Sequence, residues 1–253
     1  GLIVAIAEQT ESPKEVKGIV KREVVRIVSP ATHIPQDQED SNNYFASITQ
    51  FNTTWGISLI DLSTSEFYVF EVEKLVDVVT ELAKKQPKEI LVNQKLYESE
   101  TDLFERMESL FPYRMTVKSP FCFDGKATYE FLIHHFEVHN LDGYGLKGMN
   151  AAHMAAGALL THLKEDLCLP IGHLTTIRPL FFQECLSIDP VTAKTLELVK
   201  APTGKSLLDI CDHTLTPMGR RLFRDWILHP LLSEKGIVDR QDVIEHFMQN
   251  SDG

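Results

Sequence analysis

The chain has 253 residues, 43% of them hydrophobic and 24% charged, a globular balance with length for one large or two smaller cores, which excludes wholesale disorder. Its apolar runs fall short of the roughly eighteen residues a membrane span needs, so a soluble, cytoplasmic protein without membrane partners is expected. A formal net charge of −11 disfavours a protein that coats nucleic acid, because phosphate binding is driven by clusters of Lys and Arg.

In chain order, Leu2–Ala7 and Lys21–Val28 are apolar and β-branched and predict two strands. The first begins in mid-pattern, with neither an initiator Met nor a targeting segment, as expected of a piece cut from something longer. Between Ser12 and Arg26, five basic residues (Lys14, Lys17, Lys21, Arg22 and Arg26) face two acidic ones, Glu15 and Glu23, a local balance of +3. Such a patch suits either a solvated charged face or limited contact with a polyanion, and composition alone favours the former. Ser29–Asn43 is polar, holds two prolines and lacks periodic apolar positions, which predicts an exposed linker.

From Tyr44 the pattern predicts an antiparallel meander, Tyr44–Gln50, Trp55–Asp61 and Glu66–Val72, with turns at Asn52-Thr53-Thr54 and Ser63-Thr64-Ser65. Helix and strand then alternate: helix over Glu73–Lys85, strand over Glu89–Val92, helix over Ser99–Leu110, strand over Tyr113–Val117, and a helix from near Asp124. A meander followed by βα units implies an α/β domain with a mixed sheet. Tyr129, Leu132, Ile133 and Phe136 form one apolar stripe; Ala152, Ala156, Leu159, Leu160 and Leu163 form another on a helix over Met149–Glu165. The small residues Ala155-Ala156-Gly157-Ala158 allow another backbone to come close to that helix.

Beyond Pro170 the chain reads as extended over Thr175–Phe182, helical over Val191–Leu198, and helical again from Thr216-Pro217, with an apolar face of Met218, Leu222, Phe223, Trp226 and Ile227 ended by Pro230. A last amphipathic stretch carries Ile237, Ile244, Phe247 and Met248, a face with no expected partner in the chain. Four cysteines, Cys122, Cys168, Cys185 and Cys211, lack CxxC spacing and read as reduced core thiols without structural zinc.

Candidate chemistry is sparse, and no catalytic or metal-binding residues are assigned. Gly204-Lys205-Ser206 ends like a phosphate loop, but Val199 stands where the first glycine belongs, so Ser206 reads as a cap for Leu207–Cys211. Asp61 ends an apolar strand, the placement of a metal-binding carboxylate in ribonuclease H-like nucleases, with Glu66, Glu89, Asp124 and Asp142 as candidate partners; the competing reading has Asp61 accepting from the amides of Ser63 and Thr64. His135 and His139 have helical zinc spacing, with His134 adjoining, yet Phe136 stands where a zinc protease needs glutamate, and a metal-free surface pair is favoured.

Specific segments carry a family likeness. Val4-Ala5-Ile6-Ala7-Glu8-Gln9, Pro13-Lys14, Lys17-Gly18 and Arg22–Pro30 closely resemble the end of the mismatch-binding domain of MutS proteins. Gly56, Asp61-Leu62-Ser63-Thr64, Glu66-Phe67, Pro87–Leu91, Ala155–Leu160 and Leu169-Pro170 resemble the MutS connector. Leu186–Asp189, Thr195–Leu198, Ser206-Leu207-Leu208, Thr216–Gly219, Trp226 and Pro230-Leu231 are similar to the opening of the MutS core and lever domain, while 199–206 looks shorter than the usual glycine-rich linker. The resemblance implies residues 1–32 as the end of the mismatch-binding domain, 33–43 as linker, 44–170 as a ribonuclease H-like connector without nuclease activity, and 171–253 as the start of an α-helical core. It further implies an internal piece of a DNA mismatch repair protein, lacking the ATPase part; the full-length family forms homodimers on mispaired DNA, uses ATP and Mg²⁺, and signals to MutL. Lys17, Lys21, Arg22 and Arg26 match a region close to the DNA backbone, and His162, Lys164 and Glu165 a region where MutL docks. The rival expectation is a metal-dependent, ribonuclease H-like nuclease centred on Asp61.

Overall fold

A computed structural model describes residues 2–10, 20–33, 42–182 and 185–250, in two compact units that divide between Leu180 and Phe181. In the first unit, β1 (Val4–Gln9) and β2 (Arg22–Val28) pair antiparallel as a separate ribbon. β3 (Tyr44–Phe51), β4 (Thr54–Asp61) and β5 (Glu66–Val72) form the expected meander. Its turns place Asn52 and Ser65 in the left-handed region, at φ 54° and 60°, which short polar side chains tolerate.

After the meander come α1 (Leu75–Lys85), β6 (Glu89–Asn93), α2 (Gln94–Ser99), α3 (Thr101–Leu110) and β7 (Arg114–Lys118). The single helix expected over Ser99–Leu110 is α3 alone, preceded by α2, because Asn93 accepts from the Leu96 amide at 2.8 Å and so starts a helix earlier. β6 runs parallel to β3 and β7 parallel to β6; β8 (Arg178–Pro179) adds in parallel to β5 at the far edge, giving the order β7-β6-β3-β4-β5-β8. The sheet is mixed and the architecture α/β, as the alternation predicts.

α4 (Gly125–His135) starts where Asp124 accepts from the amides of Lys126 and Ala127. α5 (Asn150–Thr161) lies over β3 and β4, and Ala152, Ala156, Leu159, Leu160 and Leu163 are fully buried with Phe45, Ile60, Phe67, Val69 and Leu91. The small residues let the backbones meet: a Cβ on Gly56 would sit 2.0 Å from the Ala151 carbonyl carbon, and one on Gly157 would sit 2.5 Å from Cβ of Thr128 in α4. Ile171, Leu174 and Ile177 join the same core, so this unit extends past Pro170.

The polar stretch from Ser29 does not begin as an exposed linker. Ser29, Ala31 and Thr32 are buried. The Thr32 hydroxyl accepts from the Ser29 amide at 2.7 Å and Ala31 packs in the core; short polar side chains that satisfy their own backbone can be buried where composition alone suggests exposure.

The second unit holds α6 (Pro190–Thr195), α7 (Leu207–Cys211), α8 (Pro217–Leu228) and α9 (Glu234–Gln249), capped by Asp189, Ser206, Thr216 and Ser233 respectively. Its small core joins Ala193, Leu198 and Leu228 with Ile188, Val199 and Ile227. The expected α8 face is only partly used: Met218 and Leu222 are exposed, as are Ile237, Ile244, Phe247 and Met248 of α9. The cysteines are not core thiols. Cys122, Cys168 and Cys211 are exposed and Cys185 is half-buried. Among the described residues no helix is long and apolar enough to cross a membrane.

Candidate nucleic-acid interface

The basic stretch lies mainly on the β1–β2 ribbon. Lys14 and Lys17 fall outside the described residues; Lys21 directly precedes β2, and Arg22 and Arg26 lie on it. Strict alternation would place Arg22, Val24 and Arg26 on one face. The register instead pairs Val24 with Ala7 and Arg26 with Ile6, so Val25 is an inserted residue and the alternation inverts there. Arg22 then shares a face with Gln9, Ala7 and Val24, all uncharged, while Arg26 lies on the face of Glu8 and Glu23. Glu23 also pairs with Lys21 at 2.5 Å. One face thus offers an arginine among neutral neighbours, and the other a balanced set of charges.

The ribbon is tied to the sheet at its base. The Ile27 amide donates to the Leu167 carbonyl at 3.0 Å. The Asn43 side-chain amide donates to the carbonyls of Pro30, Ala31 and His33, at 3.4, 3.2 and 2.9 Å, closing the connection between ribbon and meander.

Asp61 completes this anchor. It is fully buried, and its Oδ1 accepts from the amide and hydroxyl of Ser63 at 2.9 and 2.6 Å. Its Oδ2 accepts from the Asn43 amide at 2.9 Å and the Asn42 side chain at 3.0 Å. Four donors match the roughly four acceptor sites of a carboxylate, leaving none for a metal ion. The expected partner Thr64 does not take part. Asn42 also donates to Glu66 Oε2 at 2.7 Å, beside the Tyr44 hydroxyl at 3.0 Å. Burial, then the neighbouring Glu66 carboxylate, push that hydroxyl far above the usual phenol range.

The rival nuclease reading is not supported by this arrangement. Glu66 joins Asp61 through Asn42, but Glu89 sits on β6 bonded to Thr116, Asp124 caps α4, and Asp142 opens a short 3-10 turn. Among the described residues no three His, Cys, Asp or Glu side chains converge as metal ligands. The histidine pair is also broken up: α4 ends at His135, whose Nε2 lies 2.8 Å from the Leu174 carbonyl, and His139 is exposed beyond Glu137 at φ 55°.

At Gly204-Lys205-Ser206 the serine forms a capping box with Asp209. The Ser206 amide and hydroxyl both donate to Asp209 Oδ2, at 3.1 and 2.7 Å, and the Asp209 amide donates back to the hydroxyl. These bonds, the serine hydroxyl's first, hold the Asp209 carboxyl below its ordinary range. The serine hydroxyl and amide are thus engaged by a carboxylate of their own helix.

Of the three residues expected to meet a protein partner, two are on the surface. Glu165 is exposed, and Lys164 is exposed with its ammonium 5.4 Å from the centre of the Phe131 ring. His162 is 6% exposed and packs edge-on against Phe45, so it cannot serve as a surface contact. The four-residue spacing to Asp166 was the available signal for its burial in a pair.

Comparison with known proteins places these features in sequence. Residues 1–37 match the family model described as MutS domain I, residues 43–175 that of MutS domain II, and residues 191–253 that of MutS domain III. The chain is 40% identical over 256 residues to the DNA mismatch repair protein MutS of Protochlamydia amoebophila, an alignment covering 99% of this chain and 30% of that protein. It is 35% identical to the protein of that name from Chlamydia pneumoniae, over 98% of this chain and 31% of the other, and 36% identical to that from Halothermothrix orenii, over 99% and 28%. The chain therefore spans about a third of the length of the curated relatives it matches.

Proposed function

Because this chain belongs to the MutS family, we propose that it acts in DNA mismatch repair as the connecting region of a larger protein, holding a DNA-contacting ribbon against an α/β unit of ribonuclease H-like fold. The observation that carries this reading is the full occupation of Asp61: Asn42 and Asn43 pin the end of the linker to it, and together with the Ser63 amide and hydroxyl they leave no acceptor for hydrolytic chemistry. Arg22 meets the DNA phosphates, with Lys21 and Arg26 adding charge from the other face and Lys17 belonging to the same basic stretch. Contact of this kind positions a duplex without reading its sequence. MutL docks on Lys164 and Glu165, at the surface beyond the end of α5. Homodimer formation and ATP with Mg²⁺ belong to the full-length protein, and the capping box at Ser206 does not fit a nucleotide.

Binding of this chain to a labelled duplex, measured at rising salt, tests the reading. Expected is weak binding with a log–log slope of about −2 to −3, as for two or three phosphates. Salt-independent retention, or Mg²⁺-dependent cleavage lost in Asp61→Asn, refutes it. Capture by MutL that is unchanged after charge reversal at Lys164 and Glu165 removes the docking assignment.

A further inference from the structure

Helix α5 does not end in an ordinary turn. It runs into a π-turn, His162–Asp166, in which the Leu167 amide donates to the His162 carbonyl five residues back at 3.1 Å. Such wide turns are rare. Here His162 Nδ1 lies 2.6 Å from Asp166 Oδ2, and Lys118 Nζ of β7 donates to the same oxygen at 2.9 Å. The other charged group facing the imidazole is Glu89 of β6, which is buried. Its Oε1 accepts from the Thr116 hydroxyl at 2.9 Å and its Oε2 has no hydrogen-bond partner among the described residues. The turn closes at Leu167, whose carbonyl accepts from Ile27 of β2. It therefore joins the end of α5, the sheet edge and the base of the basic ribbon.

We propose that His162, Asp166 and Lys118 form a proton-sensitive clasp that fixes the π-turn, and through Leu167 strand β2, while the imidazole is neutral, and that loosens when the imidazole takes up a proton. With neutral His162 donating Nδ1–H to Asp166, the charges of Asp166 and Lys118 cancel and the buried ring adds none. A second ring proton places a charge on a ring that is almost wholly out of water. Lys118 opposes that charge; Asp166 and Glu89 favour it. Burial outweighs them and holds the imidazole below its ordinary range. An opened turn places His162 in water, where it protonates more readily, so acid favours opening by at most about tenfold per pH unit.

Hydrogen exchange of the Ile27 amide in the 253-residue chain, expressed as a protection factor between about pH 8 and about pH 5.5, reads the clasp directly. Expected is a fall in protection below the ordinary imidazole range in the wild type, no such fall in His162→Gln, and lower protection at every pH in Asp166→Asn. A fall that persists in His162→Gln, or that disappears in His153→Gln instead, overturns the proposal. Should His162→Gln fail to fold, an NMR titration of the wild-type ring decides: midpoint below the ordinary imidazole value supports the clasp, and a midpoint at or above it overturns it.

Discussion

Glu71 on β5 accepts, through Oε1, the backbone amide of Ala152 in the first turn of α5 at 3.0 Å, across 81 residues of chain. A strand carboxylate thus does the work of an N-cap that Met149 cannot do, lacking a side-chain oxygen, and its charge suits the positive end of the helix dipole. Gly56, the cross-strand partner of Glu71, leaves the space through which the helix end reaches that carboxylate.

Loss of this arrangement should be graded. Glu71→Ala removes the acceptor and is expected to lower unfolding free energy by about 1–2 kcal/mol, with Glu71→Gln, which keeps an amide oxygen, costing less than half as much. Gly56→Ala drives a methyl into backbone that has no flexible end to move, and should cost about 3 kcal/mol or more. Urea titration measures all three. An Ala at position 56 tolerated within about 1 kcal/mol would mean that α5 does not seat on β4 as described.

Asp61→Asn should destabilise by about 2–4 kcal/mol, because either orientation of the amide sets an NH₂ against donors, Ser63 on one side or Asn42 and Asn43 on the other. The measurement is again urea unfolding, with the exposure of 29–43 to protease as a second readout. Unchanged stability would contradict the anchoring role.

Stability should have an acid and an alkaline limit set by buried groups. His153 and His162 are both held below their ordinary 6.5 by burial, so the unfolded chain binds more protons than the folded one as pH drops below that value, and stability falls with it. Tyr44 and Tyr113 are raised above their ordinary 10.0, burial being the first cause in each; their contribution is complete below that pH and is lost as pH rises past it. Thermal melts across pH should show a plateau between these values, and a maximum outside them would contradict the burial of these side chains.

Arg22 and Arg26 should not be equivalent. Arg22→Glu places a negative charge on a face otherwise without charge among the described residues and is expected to abolish most duplex retention at low salt, while Arg26→Glu, beside Glu8 and Glu23, should weaken it less. Equal effects in a filter-binding or mobility-shift titration would mean that the bulge at Val25 does not separate the two faces in solution.

Much of this architecture is written locally in the chain. The meander, the alternating units after it, the Ala-rich helix, and the caps at Asp124, Asp189, Ser206 and Thr216 all depend on interactions within about four residues or on a simple period, so the amino-acid order alone determines them. The family likeness is legible for the same reason, since it resides in short runs of adjacent residues.

Tertiary structure alone decided how the side chains of the candidate site are used. The face of Arg26 depends on which residue of β1 lies opposite it, the cap of α5 comes from a distant strand, and two of the four donors to Asp61 come from a stretch whose composition reads as linker. His162 looks like a surface residue in one dimension because the groups that bury it, Phe45, Lys118 and Glu89, belong to three different strands. Hydrogen bonds and burial are properties of neighbours in space, and chain order specifies only those that are also neighbours along it.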